Sequence, residues 1–167
     1  MQHIHATSRA FAAILAADPW CGGVAGTTAL AAEECLEGVQ QVQASEFAFA
    51  AILADGPVEI FGNAQDYPHP LQNVRQVQAS RSAFAAIGSD GSVATWGHCG
   101  EGGRSHAEEA QLRNVRQIQA SKTAFAALLD DGSVVTWGSS DGGGDSNDVQ
   151  GQLKNVQQIQ AAERALA

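Results

Sequence analysis

The sequence predicts an all-β fold, an incomplete propeller-like array of three-stranded antiparallel blades, and three observations lead there. First, the block from Val39 to Gly62 returns from Val74 to Gly97 and from Val115 to Gly138, and its opening returns once more at Val156. Self-similarity at a fixed period is the mark of repeat architectures. Second, in VRQIQAS the residues Ile118 and Ala120 fall on one face and Gln117 and Gln119 on the other. That alternation of two belongs to a strand and is incompatible with a helix. Third, the two runs that follow are joined by DDG, SDG or ADG, an Asp-Gly signal that supplies the positive φ of a tight hairpin turn.

The elements follow in chain order. Aligning the aromatic of the second run gives Phe11, Phe49, Phe84, Phe125 and Leu166, with spacings of 38, 35, 41 and 41. The chain of 167 residues therefore divides into one partial propeller with repeats at 1–38, 39–73, 74–114 and 115–155, about four units of roughly 41 residues, and a partial repeat at 156–167. In the first repeat MQHIHAT falls on VRQIQAS, and Phe11 stands only nine residues before Trp20, against twelve from Phe84 to Trp96. A hairpin shortened by three residues accounts for that difference. In the second repeat the linker from Gly62 to Val74 is six residues shorter than those that follow Gly97 and Gly138, which accounts for the spacing of 35. Within each unit, runs such as VVTWG have the β-branched and aromatic content of a strand. The middle run, AFAAIL or AFAALL, has the composition of a helix. It is assigned to a strand because so few residues between a strand and an Asp-Gly turn cannot hold a helix. Its small alanines suit a place where sheets crowd near a common axis.

A three-stranded sheet cannot bury both its faces alone and needs neighbours stacked on it. Repeats of about 40 residues with Gly-rich connections and a recurring Trp-Gly point to propeller blades around a channel; a β-solenoid is the alternative. Phe49, Phe61, Phe84, Trp96, Phe125 and Trp137 hold fixed places in their hairpins and are read as the structural core between blades,. The repeated glutamines Gln76, Gln78, Gln117, Gln119, Gln158 and Gln160 form polar rows that bond neighbouring backbone or water,.

The run A-F-A-A-L-L-D-D-G-S-V-V-T-W-G, a Gly-containing loop and then N-V-x-Q-I-Q-A resembles the repeat of the regulator of chromosome condensation. The D-G-to-W-G motif recurs at Gly91 to Gly97 and Gly132 to Gly138, with a weaker form at Gly56 to Gly62. The resemblance implies a β-propeller, most like the short-blade members, and in that family such propellers close with about seven blades. It also implies a choice of functions, because the family includes a guanine nucleotide exchange factor for a small GTPase, modules of HECT-type ubiquitin ligases, light-signalling proteins and a secreted β-lactamase inhibitor. Four repeats and part of a fifth leave two open blade faces. The break within a strand at Ala167 favours part of a longer protein over association of copies or a compact open array.

Composition narrows the function further. There are 9 Lys and Arg against 18 Asp and Glu, a net charge of −9, and counterion release on nucleic acid needs clustered positive charge. Nucleic acid is therefore not expected as a partner. No apolar run approaches the ~18 residues of a membrane-spanning helix, so no membrane partner is expected either. Cys21, Cys35 and Cys99 form no metal-binding pair and no disulfide framework, which suits free thiols in an intracellular, cytoplasmic setting,.

No constellation with catalytic spacing is present, and no cofactor is expected. GEGGRS from Gly100 lacks the Lys and the strand-then-helix context of a phosphate loop,. His3 and His5 stand where other repeats place glutamines, and His98, Cys99 and His106 offer too few ligands for zinc,. Asp141, Asp145, Asn147 and Asp148 are oxygen ligands of the kind Ca²⁺ takes, but their spacing fits neither an EF-hand nor a nonapeptide repeat, so a solvated turn is preferred,. What varies between repeats lies in the loops, where binding residues concentrate. Tyr67, His69, Arg104, His106, Asp141 and Asp145 are the candidate partner-binding residues, and the partner is another protein, with self-association through open blade faces as a further route. The chain is thus expected to be a non-enzymatic interaction module. The alternative is a regulatory segment of a ubiquitin ligase or an exchange factor.

Overall fold

The computed structural model describes residues 3–6, 10–14, 21–24, 38–54, 56–62, 71–105, 110–163 and 165–166, with backbone only for 3–24 and 165–166. Each repeat folds as one antiparallel sheet with strands in chain order. The first blade is β1 (His3–Ala6), β2 (Ala10–Ile14) and β3 (Cys21–Val24). The second is β4 (Val39–Ala44), β5 (Ala48–Leu53) and β6 (Val58–Gly62). β7 (Val74–Ala79), β8 (Ala83–Gly88) and β9 (Val93–Gly97) make the third, and β10 (Val115–Ala120), β11 (Ala124–Leu129) and β12 (Val134–Gly138) the fourth. β13 (Ala161–Ala162) and β14 (Ala165–Leu166) form a two-stranded sheet beyond it.

The middle strands explain their own composition. The first five residues of β5, β8 and β11 are all buried, because each strand lies between two partners and under blades on both faces. A strand covered on both sides loses the polar alternation of a half-exposed one. Tertiary burial overrides the helical preference of its alanines.

The two faces of a blade differ. On the third blade, Val74, Val77, Phe84, Ala86 and Trp96 pack toward Ala48, Ala50, Ile52 and Val58 of the second. Ala83, Ala85 and Ile87, on its other face, meet Val115, Ile118, Phe125, Val135 and Trp137 of the fourth. Both of these interfaces set a bulky aromatic face against a small alanine-rich one, and the stacking has a direction. The stacked pairs Phe84–Trp96 and Phe125–Trp137 have ring centroids 5.4 Å apart and planes within 13° of parallel. Phe49 pairs with Phe61 at the same place, and there Phe61 is only half-buried.

The first repeat departs from the sequence alignment. Phe11 is registered opposite Gly23, twelve residues on, as Phe125 is opposite Trp137. The hairpin of that blade is therefore not shortened, and the slot read for Trp20 holds a glycine. Trp20 itself lies outside the described residues.

Polar bonds register one blade on the next. Gln41 Nε2 donates to the Val77 carbonyl at 3.1 Å, Gln76 to Ile118 at 3.1 Å and Gln117 to Ile159 at 3.3 Å. Of the glutamines read as rows, Gln76 and Gln117 bond the backbone of the next blade, as Gln41 does. A β-bulge after Val39, Val74 and Val115 sets one extra residue in each first strand, and bulges re-aim side chains. Two of those residues bond the next repeat. Arg75 donates to the Val115 carbonyl, and Arg116 donates to the Gln157 carbonyl at 2.7 Å.

Candidate functional site

The loops at one rim carry the residues that vary. A serine turn leads into each middle strand: Ser121 Oγ accepts from Ala124 N at 3.2 Å and donates to the Gly142 carbonyl at 2.8 Å. Ser80 does the same with Ala83 N and the Glu101 carbonyl. These bonds fasten the 3₁₀ turns Cys99–Glu101 and Ser140–Gly142 to the rim of their own blades. A second clamp lies just beyond, where Thr95 meets Ser105 at 3.2 Å and Thr136 meets Ser146 at 2.9 Å. The two loops are built alike, yet Arg104 stands at the place that Asp145 takes 41 residues later, and both are exposed.

Beside Asp145 the loop opens a polar cleft of about 440 Å³, walled by Gln111, Thr136, Ser140, Ser146, Asn147 and Gln150 among others. Its walls hold one another: Ser146 Oγ donates to Gln150 Oε1 at 2.8 Å, and Gln150 Nε2 to the Val134 carbonyl at 2.9 Å. Asp145 Oδ1 accepts from Asn147 N at 3.0 Å. Asp141 is exposed on the 3₁₀ turn and does not line the cleft. The structure therefore gathers Asp145 with neutral amides and hydroxyls rather than with the other carboxylates of its loop. Such a surface can accept and donate several hydrogen bonds to a polar chain. Tyr67, His69 and His106 lie outside the described residues, and so do the side chains of His3 and His5. Cys99 is an exposed free thiol, and among the described residues no group of three His, Cys, Asp or Glu could hold a metal.

One charged row on this rim was not singled out by the sequence. Glu46 N donates to the Arg81 carbonyl at 2.7 Å, Arg81 N to Lys122 at 2.8 Å and Lys122 N to Glu163 at 2.8 Å, a ladder that links successive serine turns. The side chains pair at the two ends of the row, with the two cations in the middle: Arg81 Nε meets Glu46 Oε2 at 2.5 Å and Lys122 Nζ meets Glu163 Oε1 at 3.4 Å. The Glu46 carboxylate raises the Arg81 pKa above its ordinary value, first through the hydrogen bond and then through its charge. Exposed Phe47 stands next to this row. The signal available in the sequence was the residue after A-S in three copies, and after Ala161–Ala162 in the last, which changes between Glu, Arg and Lys.

At the opposite rim the Asp-Gly turns are self-contained. Asp90 Oδ1 accepts from Ser92 Oγ at 2.6 Å and Ser92 N at 2.9 Å, and Asp131 does so from Ser133 with the same distances. These bonds hold both carboxyls below their ordinary pKa, the side-chain hydroxyl contributing most.

No protein-family model matches this chain, and no curated protein sequence does. Solved structures do. The CRINKLY WD40 ectodomain of the Arabidopsis thaliana receptor kinase ACR4 superposes with a TM-score of 0.57 at 14% identity, over 81% of this chain and 48% of that one. Human WBSCR16 gives 0.55 at 18%, over 96% and 51%. Prp20p from Saccharomyces cerevisiae, the yeast RCC1, gives 0.55 at 14%, over 81% and 43%. The fold is that of an RCC1-like β-propeller repeat array. This array spans about half the length, or less, of the propellers it matches, and its blades are three-stranded. Within it the serine turns and 3₁₀ loops share one rim, so the varying side chains lie along a continuous edge of the blades.

Proposed function

We propose that this chain is a non-enzymatic protein-interaction module, one partial propeller over residues 1–167 that belongs to a longer propeller, acting in an intracellular, cytoplasmic setting. The observation that carries this is the constant loop scaffold with changing side chains. The Thr–Ser clamp and serine turn are the same in the third and fourth blades, while the exposed residue they present is Arg104 in one and Asp145 in the other. Charge reversal on an unchanged frame changes which partner surface fits, because electrostatic complementarity selects partners. Prp20p and its structural relatives add precedent: Prp20p binds Gsp1p and histones, and was solved bound to Kap60. The regulatory-segment alternative, in a ubiquitin ligase or an exchange factor, rests on the family resemblance alone.

The test is affinity capture with the wild-type chain and with Arg104→Glu and Asp145→Lys, each checked for an unchanged thermal midpoint. We expect a protein that saturates on the wild type and loses affinity to both variants. Capture of the same proteins by all three chains, or of none, would refute the rim as the binding edge.

A further inference from the structure

The polar cleft beside Asp145 runs along an open strand edge. β12 pairs with β11 on one side and with no strand on the other. In an antiparallel pair, residues that bond across the ladder alternate with residues whose N–H and C=O turn away from it. Leu129 N donates to the Ser133 carbonyl and Ser139 N to the Thr123 carbonyl, so Val135 and Trp137 are the bonded positions between them. Thr136 therefore turns its backbone groups outward, and neither has a hydrogen-bond partner among the described residues. The cleft is lined by Val135, which packs toward the third blade, and by Thr136, whose hydroxyl meets Ser146 on the opposite face. A space lined from both faces lies at the margin of the sheet. Among the described residues Asp145 is the one charged group that lines it. A separate apolar cavity of about 200 Å³ lies at Gly143, on the face of the blade toward the partial repeat.

Two earlier blades show what this edge is. Blades stack through their faces, so a further blade leaves the outer edge clear. The third blade has the fourth stacked on it, and yet Thr95 of β9, at the place of Thr136, also has no partner for its backbone groups among the described residues. In the second blade the same edge takes main chain. The linker there is six residues shorter, and Val58 N, at the edge of β6, donates to the Leu71 carbonyl at 3.2 Å. Val134 and Leu153 hold these places in the fourth blade. They make no such bond, and the Val134 carbonyl accepts from Gln150 Nε2 instead.

We propose that the outer edge of β12 is a strand-addition site for an extended segment of a partner protein that carries a lysine or arginine beside Asp145. The proposal rests on the reading of this chain as an interaction module and names the chemistry of its partner. Main-chain bonds to the N–H and C=O of Thr136 hold the segment, as strand addition draws affinity from the backbone and specificity from side-chain pockets. The main-chain occupant follows from the second blade, where the linker already sits on this edge. The basic side chain follows from charge complementarity, since Asp145 Oδ1 accepts from Asn147 N and its other oxygen has no partner among the described residues. Two copies joined edge to edge at β12 about a two-fold axis would bring Asp145 toward Asp145, which opposes a second copy as the occupant.

The probe is the acetylated and amidated pentapeptide TVKVT, titrated into the full 167-residue chain with amide chemical shifts and amide hydrogen exchange as readouts. We expect saturable binding that moves the Thr136 and Asp145 amides, slows exchange at Thr136 and leaves Thr95 unchanged. The peptide TVEVT should bind about fivefold more weakly, as loss of one ion pair implies, and Asp145→Lys should reverse that preference. N-methylation of the peptide's main chain at its central residue should abolish binding, because a strand then loses a donor. No saturation up to about 5 mM, where even a Kd of about 1 mM gives mostly bound chain, would overturn the proposal. So would equal binding of the N-methyl peptide, unchanged exchange at Thr136, or equal affinity for TVKVT and TVEVT. Self-association that slows Thr136 exchange without peptide would also overturn it, because a second copy would then be the occupant. If affinity capture still depends on Asp145 while Thr136 exchange does not respond, strand addition fails and the interaction module stands; if capture ignores Asp145 as well, both fail.

Discussion

Gly102→Ala tests the packing logic of the blades at its tightest point. A Cβ built on Gly102 would lie 2.5 Å from Phe125 Cδ2 and 2.7 Å from Cε2, whereas carbon atoms in contact prefer about 3.5–4.0 Å. The ring would have to retreat by about 1 Å. It has nowhere to go, because Phe125 is fully buried and stacked on Trp137. The indole is in turn bonded to the carbonyl of Gly102 itself. Overpacking of this kind costs about 1–3 kcal/mol. The φ of 91° adds about 1–2 kcal/mol for any residue with a Cβ,. The sum, about 2–5 kcal/mol, is a large share of the roughly 5–15 kcal/mol that holds a domain folded. Urea denaturation followed by far-ultraviolet circular dichroism measures it, with the midpoint falling by about 1–2 M at an unchanged slope. Gly151→Ala is the control, since nothing lies within 4 Å of its built Cβ, and it should stay within about 0.5 kcal/mol of wild type. If Gly102→Ala were as stable as Gly151→Ala, the seat described for Phe125 and Trp137 would be wrong.

Two further predictions concern the bonds between blades and the turns. Gln76→Ala removes the donor to the Ile118 carbonyl and should destabilise by about 1 kcal/mol; the same change at exposed Gln160, which makes no bond among the described residues, should be close to silent in the same urea titration. The Asp90 and Asp131 carboxyls have pKa values lowered by folding, so the stability they contribute is present above their unfolded pKa of about 3.9 and is lost as pH falls through the lower folded value. The double variant Asp90→Asn with Asp131→Asn should therefore show a shallower loss of stability below about pH 4 and an unchanged slope between neutral pH and about 5; an unaltered acid limb would show that these turns do not hold the carboxylates in solution.

Much of the architecture was legible in the chain. The recurrence from Val39, Val74 and Val115 marks the blades, and the Asp-Gly turns mark the hairpins. Of the fixed aromatics, Phe49, Phe84, Trp96, Phe125 and Trp137 are buried, while Phe61 is half-buried. Local periodicity carries these features because a strand in a repeat array meets the same environment in every copy. Where a copy diverges the reading slips. Trp20 drew the alignment to itself, although backbone pairing sets Gly23 opposite Phe11.

The site was legible only in outline. The sequence shows that Arg104, Asp141 and Asp145 belong to variable loops. It does not show that a Thr–Ser clamp holds Arg104 and Asp145 at one place on successive blades, or that Asp141 turns away from the cleft that Asp145 lines. The charged row from Glu46 to Glu163 and the cavity at Gly143 are equally hidden. The reason is physical: the sequence determines each blade through contacts within about 24 residues, but a rim, a cleft or a seat for an indole arises from groups about 41 residues apart that only stacking brings together. The chain alone determined that blades form and which residues fill them; the tertiary structure decided which face of one blade meets which face of the next, and so where a partner can bind.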